Sequence, residues 1–239
     1  MQTRDLDYRC GEALLRSHLV WDETIATPRP GVVVFHEGLG LNDFVMTRAR
    51  IVAELGYVAL AADMFGERRQ ARNLQEVATV VGGLRAEPER LRARGRAALA
   101  ALSSLPQVDA NRMAAIGFCF GGSVALELAR AGADIKAAVS FHGVLTTKIP
   151  AVTGEVKASV LVCTGADDPL APPDQVAAFE NEMRSAQVRD WQVISYGNTL
   201  HGFTNPAADG SMMRSALYKE QSDRRAWAAM EGLFDEVLA

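Results

Sequence analysis

The sequence predicts an α/β protein: a mostly parallel central sheet with helices on both faces. Three observations predict it. Strand-like runs alternate with helical patterns along the chain. The middle runs, such as Val32-Val33-Val34-Phe35, are apolar without alternation, as expected of strands covered on both faces. A glycine-rich turn, Gly117-Phe118-Cys119-Phe120-Gly121-Gly122, joins one such run to a helical pattern.

The elements follow in order. Arg9-Cys10 and His18 to Trp21, within the first thirty residues, fit antiparallel edge strands added to the sheet. Val32 to Phe35 is a strand, Asp43 to Leu55 a helix stopped by Gly56, and Tyr57 to Ala61 the next strand. Asn73 to Leu105 reads as two helices broken near Gly82-Gly83 and Pro88. Arg112 to Gly117 is a strand and Ser123 to Arg130 a helix; Ile135 to Phe141 and Ser159 to Thr164 are strands. Pro173 to Ser185 is helical, Trp191 to Tyr196 a strand, and Met212 to Leu238 a long terminal helix. No composition break divides the chain, so residues 1–239 form one domain.

The 25 Lys and Arg against 29 Asp and Glu give a net charge of -4, which supplies no broad positive field for nucleic acid. The N-terminus has no apolar core of a secretory signal, and no apolar run is long enough for a membrane span, so the expected location is the cytoplasm. Three cysteines make no disulfide framework. The histidines are scattered, there is no Cys-x-x-Cys pair, and no phosphate-binding glycine motif occurs. Neither a metal nor a nucleotide cofactor is predicted.

The glycine-rich turn has the context of a nucleophile elbow, with cysteine where serine is usual. A nucleophile on so sharp a turn needs small residues two before and two after it, and Gly117 and Gly121 provide them. Cys119 then lies at a helix N-terminus, where the dipole favours a thiolate, and the Phe120 amide faces a developing oxyanion. The competing reading is a buried cysteine in a tight turn. Cys163, inside an apolar run, reads as core, and nothing near Cys10 activates it.

A thiol nucleophile needs a base, and the base an orienting acid, in the chain order nucleophile, acid, histidine. Gly165-Ala166-Asp167-Asp168 follows a strand; Asp168 is the preferred acid and Asp167 the alternative, with helix capping as the structural option for either. His201, in a loop after the last strand, is the base. His142 ends the strand after the elbow and reads as a pocket wall, with a purely structural histidine as the alternative. Gly38, in the loop His36-Glu37-Gly38-Leu39-Gly40, is expected to give the second oxyanion amide. Glu37 stands out there, because a carboxylate beside a thiolate opposes its charge; a loop acid capping the helix near Asn42 is the alternative.

With these residues in place, the sequence resembles the dienelactone hydrolase family of α/β-hydrolases. The resemblance rests on His36-Glu37-Gly38-x-Gly40, Ala62-Asp63-Met64-Phe65-Gly66, Gly117-x-Cys119-x-Gly121-Gly122, Phe141-His142-Gly143, Gly165-x-x-Asp168 and His201-Gly202-Phe203. It implies an α/β-hydrolase fold and a Cys119-His201-Asp168 triad cleaving small esters or lactones through an acyl-enzyme. It also implies that Glu37 keeps the resting thiol uncharged until substrate displaces it. Lactone-cleaving members carry an arginine shortly after the histidine motif, whereas this chain has Thr204-Asn205-Pro206. Arg68, Arg69 and Arg72 are the substitutes considered. Phe65, Phe120, His142 and Phe203 are the expected pocket walls, under a mobile cover formed by Phe65 to Pro88. Competing functions are hydrolysis of thioesters or other activated acyl compounds, and a non-catalytic member that binds a ligand or senses oxidants through Cys119.

Overall fold

A computed structural model describes all residues, 1–239. The strands are β1 (Gln2–Cys10), β2 (Ala13–Trp21), β3 (Arg29–Phe35), β4 (Val58–Ala62), β5 (Val108–Phe118), β6 (Ala137–Phe141), β7 (Ser159–Gly165) and β8 (Trp191–Tyr196). The helices are α1 (Asp43–Glu54), α2 (Leu74–Ala86), α3 (Pro88–Ser103), α4 (Phe120–Arg130), α5 (Pro173–Ser185) and α6 (Glu220–Val237). One sheet has the order β1-β2-β4-β3-β5-β6-β7-β8. β1–β2 and β2–β4 are antiparallel, and every other neighbouring pair is parallel.

The unbroken apolar strands have the predicted consequence, a core layer on each face. On one face Val33 and Phe35 pack with Leu91, Val124, Leu128 and Phe179 beneath α3, α4 and α5. On the other, Val32 and Val34 pack with Val45, Val52, Met230 and Phe234 beneath α1 and α6. Burying each such side chain stabilises the fold by roughly 1.5–3 kcal/mol before ordering costs.

Four elements differ from the sequence expectation. The edge hairpin is longer: β1 and β2 pair over their whole length around Gly11-Glu12, with Gly11 at φ +57°. Polar residues hide β1 from a hydrophobic reading because most of them face solvent. α2 runs through Gly82-Gly83, where an added Cβ would meet open space, and only Pro88 begins a new helix. α4 starts at Phe120, immediately after the elbow, so Ser123 lies in its first turn. α6 begins at Glu220, because residues 212–219 pair with the preceding loop instead: Ala216 bridges His201, and Leu217 N–H donates to the His201 carbonyl at 3.0 Å. No helix is long and apolar enough to cross a membrane.

Candidate active site

The elbow is as tight as its glycines require. Cys119 sits between β5 and α4 with φ +53° and ψ −113°, a conformation that costs about 1–3 kcal/mol in a non-glycine residue. A Cβ on Gly117 would lie 2.1 Å from the Gly121 carbonyl carbon, and one on Gly121 would lie 2.2 Å from the Phe35 carbonyl oxygen. Neither position accepts a side chain.

Asp168 and His201 come together from the loops after β7 and β8. His201 Nδ1–H donates to Asp168 Oδ2 at 2.8 Å, and Asp168 Oδ1 accepts from Leu170 N–H at 2.8 Å. Asp168 is 2% exposed, whereas Asp167 faces solvent. The register is set by close packing: a Cβ on Gly165 would lie 2.3 Å from the Thr199 carbonyl, and the Asp167 amide donates to that same oxygen at 3.0 Å. On the far side of the ring, His201 Nε2 is buried and has no hydrogen-bond partner. Burial alone would lower the His201 pKa. The Cys119 charge, then the bond to Asp168, override burial and raise it to about 10. The thiol thus acts on the imidazole, while Nε2 itself has no hydrogen-bond partner.

Glu37 is buried, and Oε2 accepts from Asn205 Nδ2–H at 2.9 Å rather than from any group of α1. Helix α1 is capped by its own Asn42, whose Oδ1 accepts from Val45 N–H. Burial raises the Glu37 pKa against the opposing pull of Asn205, His201 and Arg48. Glu37 makes no hydrogen bond to Cys119. Its loop is fixed by His36, which donates from Nδ1 to the Glu37 carbonyl at 2.6 Å and accepts Met64 N–H at Nε2. Gly38 lies under Val77 of α2, so closely that a Cβ there would be 2.7 Å from Val77 Cγ1. The Phe120 amide, first in α4, has no partner within its own helix.

The proposed walls divide into two groups. Phe65 and Phe120 pack with His36, the two phenyl centroids 5.7 Å apart; Phe120 is 1% exposed and is core rather than wall, and only Phe65 keeps an exposed edge. His142 and Phe203 lie behind the elbow at 0% exposure, 5.3 Å apart, and present no surface to a ligand. The Phe65–Pro88 cover is fastened rather than loose: Ala71 N–H donates to the Leu39 carbonyl, and Gln70 Nε2–H to the Leu41 carbonyl. A cleft of about 460 Å³ between residues 145–153 and α5 includes neither Cys119 nor His201.

Of the three arginines considered, Arg68 donates to Asp5, Arg16 and Ser17 in the edge hairpin, and Arg69 and Arg72 are exposed. Sequence reasoning missed Arg85 at the end of α2. It is half-buried and donates from Nη2 to Ser123 Oγ at 2.8 Å. Burial lowers its pKa, and the Cys119 charge is the foremost influence opposing that shift. Its position three residues before the α3 start carries no motif; only the fold of α2 over the elbow reveals it.

The sheet order, and the sequence thiol, carboxylate, imidazole at the carboxyl ends of parallel strands, are those of an α/β-hydrolase, and the protein belongs to that class. The profile of the dienelactone hydrolase family matches residues 18–238, so the chain belongs to this family. Among solved structures it is similar to P91, a dienelactone hydrolase-like promiscuous phosphotriesterase from metagenomic libraries: 43% identity, TM-score 0.93, covering 100% of this chain and 99% of that one. It is also similar to a protein called m3DLH, at 45% identity and TM-score 0.96, with the same coverage. A provisionally named carboxymethylenebutenolidase of Salmonella typhimurium is 25% identical, over 84% of this chain and 75% of its own length. The protein is a hydrolase of the ester and lactone class that acts on small molecules.

Proposed function

We propose that the protein hydrolyses small esters or lactones through an acyl-enzyme on Cys119. The observation that carries this is His201: one ring nitrogen is bound to buried Asp168, and the other is buried, unpartnered and under the charge of Cys119. His201 Nε2 takes the thiol proton, and the sulfur attacks the carbonyl carbon. The Phe120 and Gly38 amides hold the resulting oxyanion. Collapse breaks the ester C–O bond, and the departing alkoxide takes the proton from His201. A water then attacks the thioester with His201 as base, which frees the acid and restores the thiol. Glu37, with its raised pKa, is suited to exchange a proton with the incoming thiol.

The test is 4-nitrophenyl acetate turnover with mass analysis of trapped protein. Wild type should accumulate an acyl adduct on the Cys119 peptide, and Cys119→Ala should lose roughly 10⁴-fold in rate with its fold retained. Near-normal turnover by Cys119→Ala would exclude the reading; oxidation without turnover would favour a thiol sensor.

Compact neutral acyl groups suit the apolar edge of Phe65. Arg85 supports a second reading, in which the acyl part bears a carboxylate. It offers a cation beside the nucleophile in a chain that has Asn205 where lactone-cleaving relatives carry arginine. The similarity to P91 makes a phosphotriester such as paraoxon a further substrate to assay. A cytoplasmic protein without nucleic-acid or membrane partners remains our reading of the charge and hydropathy pattern.

A further inference from the structure

His142 serves the site from behind. Its φ of +41° is in the left-handed region, so its backbone is held by its surroundings. Its amide donates to the Cys163 carbonyl at 2.8 Å, one step past the β6–β7 ladder. Its ring reaches the other way, to β5. The Cys119 amide donates to two acceptors, the Phe141 carbonyl at 2.9 Å and His142 Nδ1 at 3.1 Å. Because Nδ1 accepts, it carries no proton. The ring hydrogen is therefore on Nε2, which donates to Thr204 Oγ1 at 2.8 Å. Thr204 is three residues beyond His201, and its carbonyl accepts from Arg48, which is paired with Asp223 of α6 at 2.7 Å.

One buried ring thus spans the nucleophile's backbone, the end of β6 and the loop that carries the base. We infer that His142 is a positioning residue for the hydrolysis proposed above: as a neutral Nε2–H imidazole it holds the Cys119 amide, and so the turn that aims the sulfur and the Phe120 amide, in register with His201. The inference rests on that reading for its kinetic consequence, but not for the ring's tautomer.

The charged and titratable groups around the ring agree with a neutral state. His201 is 5.0 Å away, centroid to centroid, and the Arg48 guanidinium lies beyond Thr204; the charge of each opposes a positive charge on His142, and burial does so more strongly. A protonated ring would also turn an N–H toward the Cys119 N–H, leaving two donors face to face. Phe118 and Phe203 enclose the remaining sides.

Two substitutions separate the ring's two bonds. His142→Asn keeps an acceptor near the Nδ1 position, and asparagine tolerates left-handed backbone. His142→Gln places its amide near the Nε2 position and abandons the Cys119 N–H. We expect His142→Gln to lower kcat by roughly tenfold to a hundredfold with KM within about twofold, and His142→Asn to lose much less. A role in packing alone would change thermal stability in both and would not separate them by kcat. Equal kcat for Gln, Asn and wild type, in folded protein, would overturn the inference.

The direct check needs no variant. Nitrogen-15 spectra of histidine-labelled protein should show one buried ring with Nε2 protonated and Nδ1 bare, unchanged from pH 5 to 9. In Thr204→Val the tautomer should persist, because the Cys119 N–H still requires a bare Nδ1, while the Nε2–H signal shifts with the loss of its acceptor. An Nδ1–H tautomer, or a ring that titrates near pH 6.5, would also overturn it. If instead Cys119→Ala stays active while the ring is found as described, the reading of Cys119 as nucleophile fails and the bracing of the turn stands.

Discussion

Two histidines whose rings meet edge to face, centroids 5.0 Å apart, both neighbour Cys119, and their pKa values shift in opposite directions. Behind the elbow, His142 has both nitrogens committed, to the Cys119 amide and to Thr204, and its pKa lies well below 6.5. In front, His201 has one nitrogen on a carboxylate and the other free, and its pKa rises to about 10. Both rings are buried, so burial does not separate them. What differs is the sign of the neighbours: His142 meets an amide, a hydroxyl and the cation Arg48, whereas His201 meets Asp168 and the thiol. His142 has both nitrogens taken up by the protein, one by a backbone amide and one by a hydroxyl, whereas His201 keeps Nε2 open for a substrate.

Changes at the front should alter rate more than stability. The largest effect is expected for Asp168→Asn, which removes the carboxylate that orients and charges His201; hydrolysis should fall by roughly 10³–10⁴-fold, against less than about threefold for exposed Asp167→Asn. Steady-state kinetics on one ester checks both, and a larger loss from Asp167→Asn would break the assigned geometry. Next is Arg85→Gln, which should lower kcat/KM for carboxylated substrates by about ten- to a hundredfold and leave neutral esters nearly unchanged. An equal loss on both would make Arg85 a support for Ser123 rather than a contact for the substrate. Glu37→Gln should cost about tenfold and shift the pH dependence of Cys119 alkylation; a variant unchanged in both would leave Glu37 as a partner of Asn205 only.

The smallest effect is a dependence of stability on pH. The folded-state pKa of His201 lies above its ordinary 6.5. The proton it binds therefore stabilises the fold fully below about pH 6.5, and that contribution fades as pH rises through about 10. Thermal melts from pH 6 to 10 should show wild type losing more Tm than His201→Gln. Parallel losses in the two proteins would detach His201 from the fold's proton balance. At the back the order reverses: Asp223→Asn leaves Arg48 buried without its partner, and should cost roughly 3 kcal/mol, read as a lowered denaturant midpoint.

The front was largely legible in the sequence, because its constraints are local. Gly117 and Gly121 flank Cys119 since no side chain fits there, and Gly165 fixes which aspartate turns inward. The central strands announced themselves because both faces are covered, so every position is apolar. The back was not legible, because its contacts join distant residues whose types carry no pattern: Arg48 with Asp223, His142 with Thr204. A histidine after a strand reads equally well as wall or brace, and only the direction of the ring decides. The 212–219 segment read as helix because its spacing suits one, while its backbone pairs with the His201 loop. The edge strand β1 was underestimated because polar residues cover it.

The Arg48–Asp223 pair joins residues 175 positions apart and ties the last helix to the first. Closing a loop of that size comes late in folding, since its entropy must be met before the contact rewards it. The sheet and the elbow's glycines can be in place while Thr204 is still unbraced. Refolding should therefore run in two stages, with the burial of Trp191 ahead of the return of ester turnover, and the interval between them is the time α6 takes to dock. A chain interrupted before Glu220 would hold every residue of the proposed triad and still lack the strut behind it.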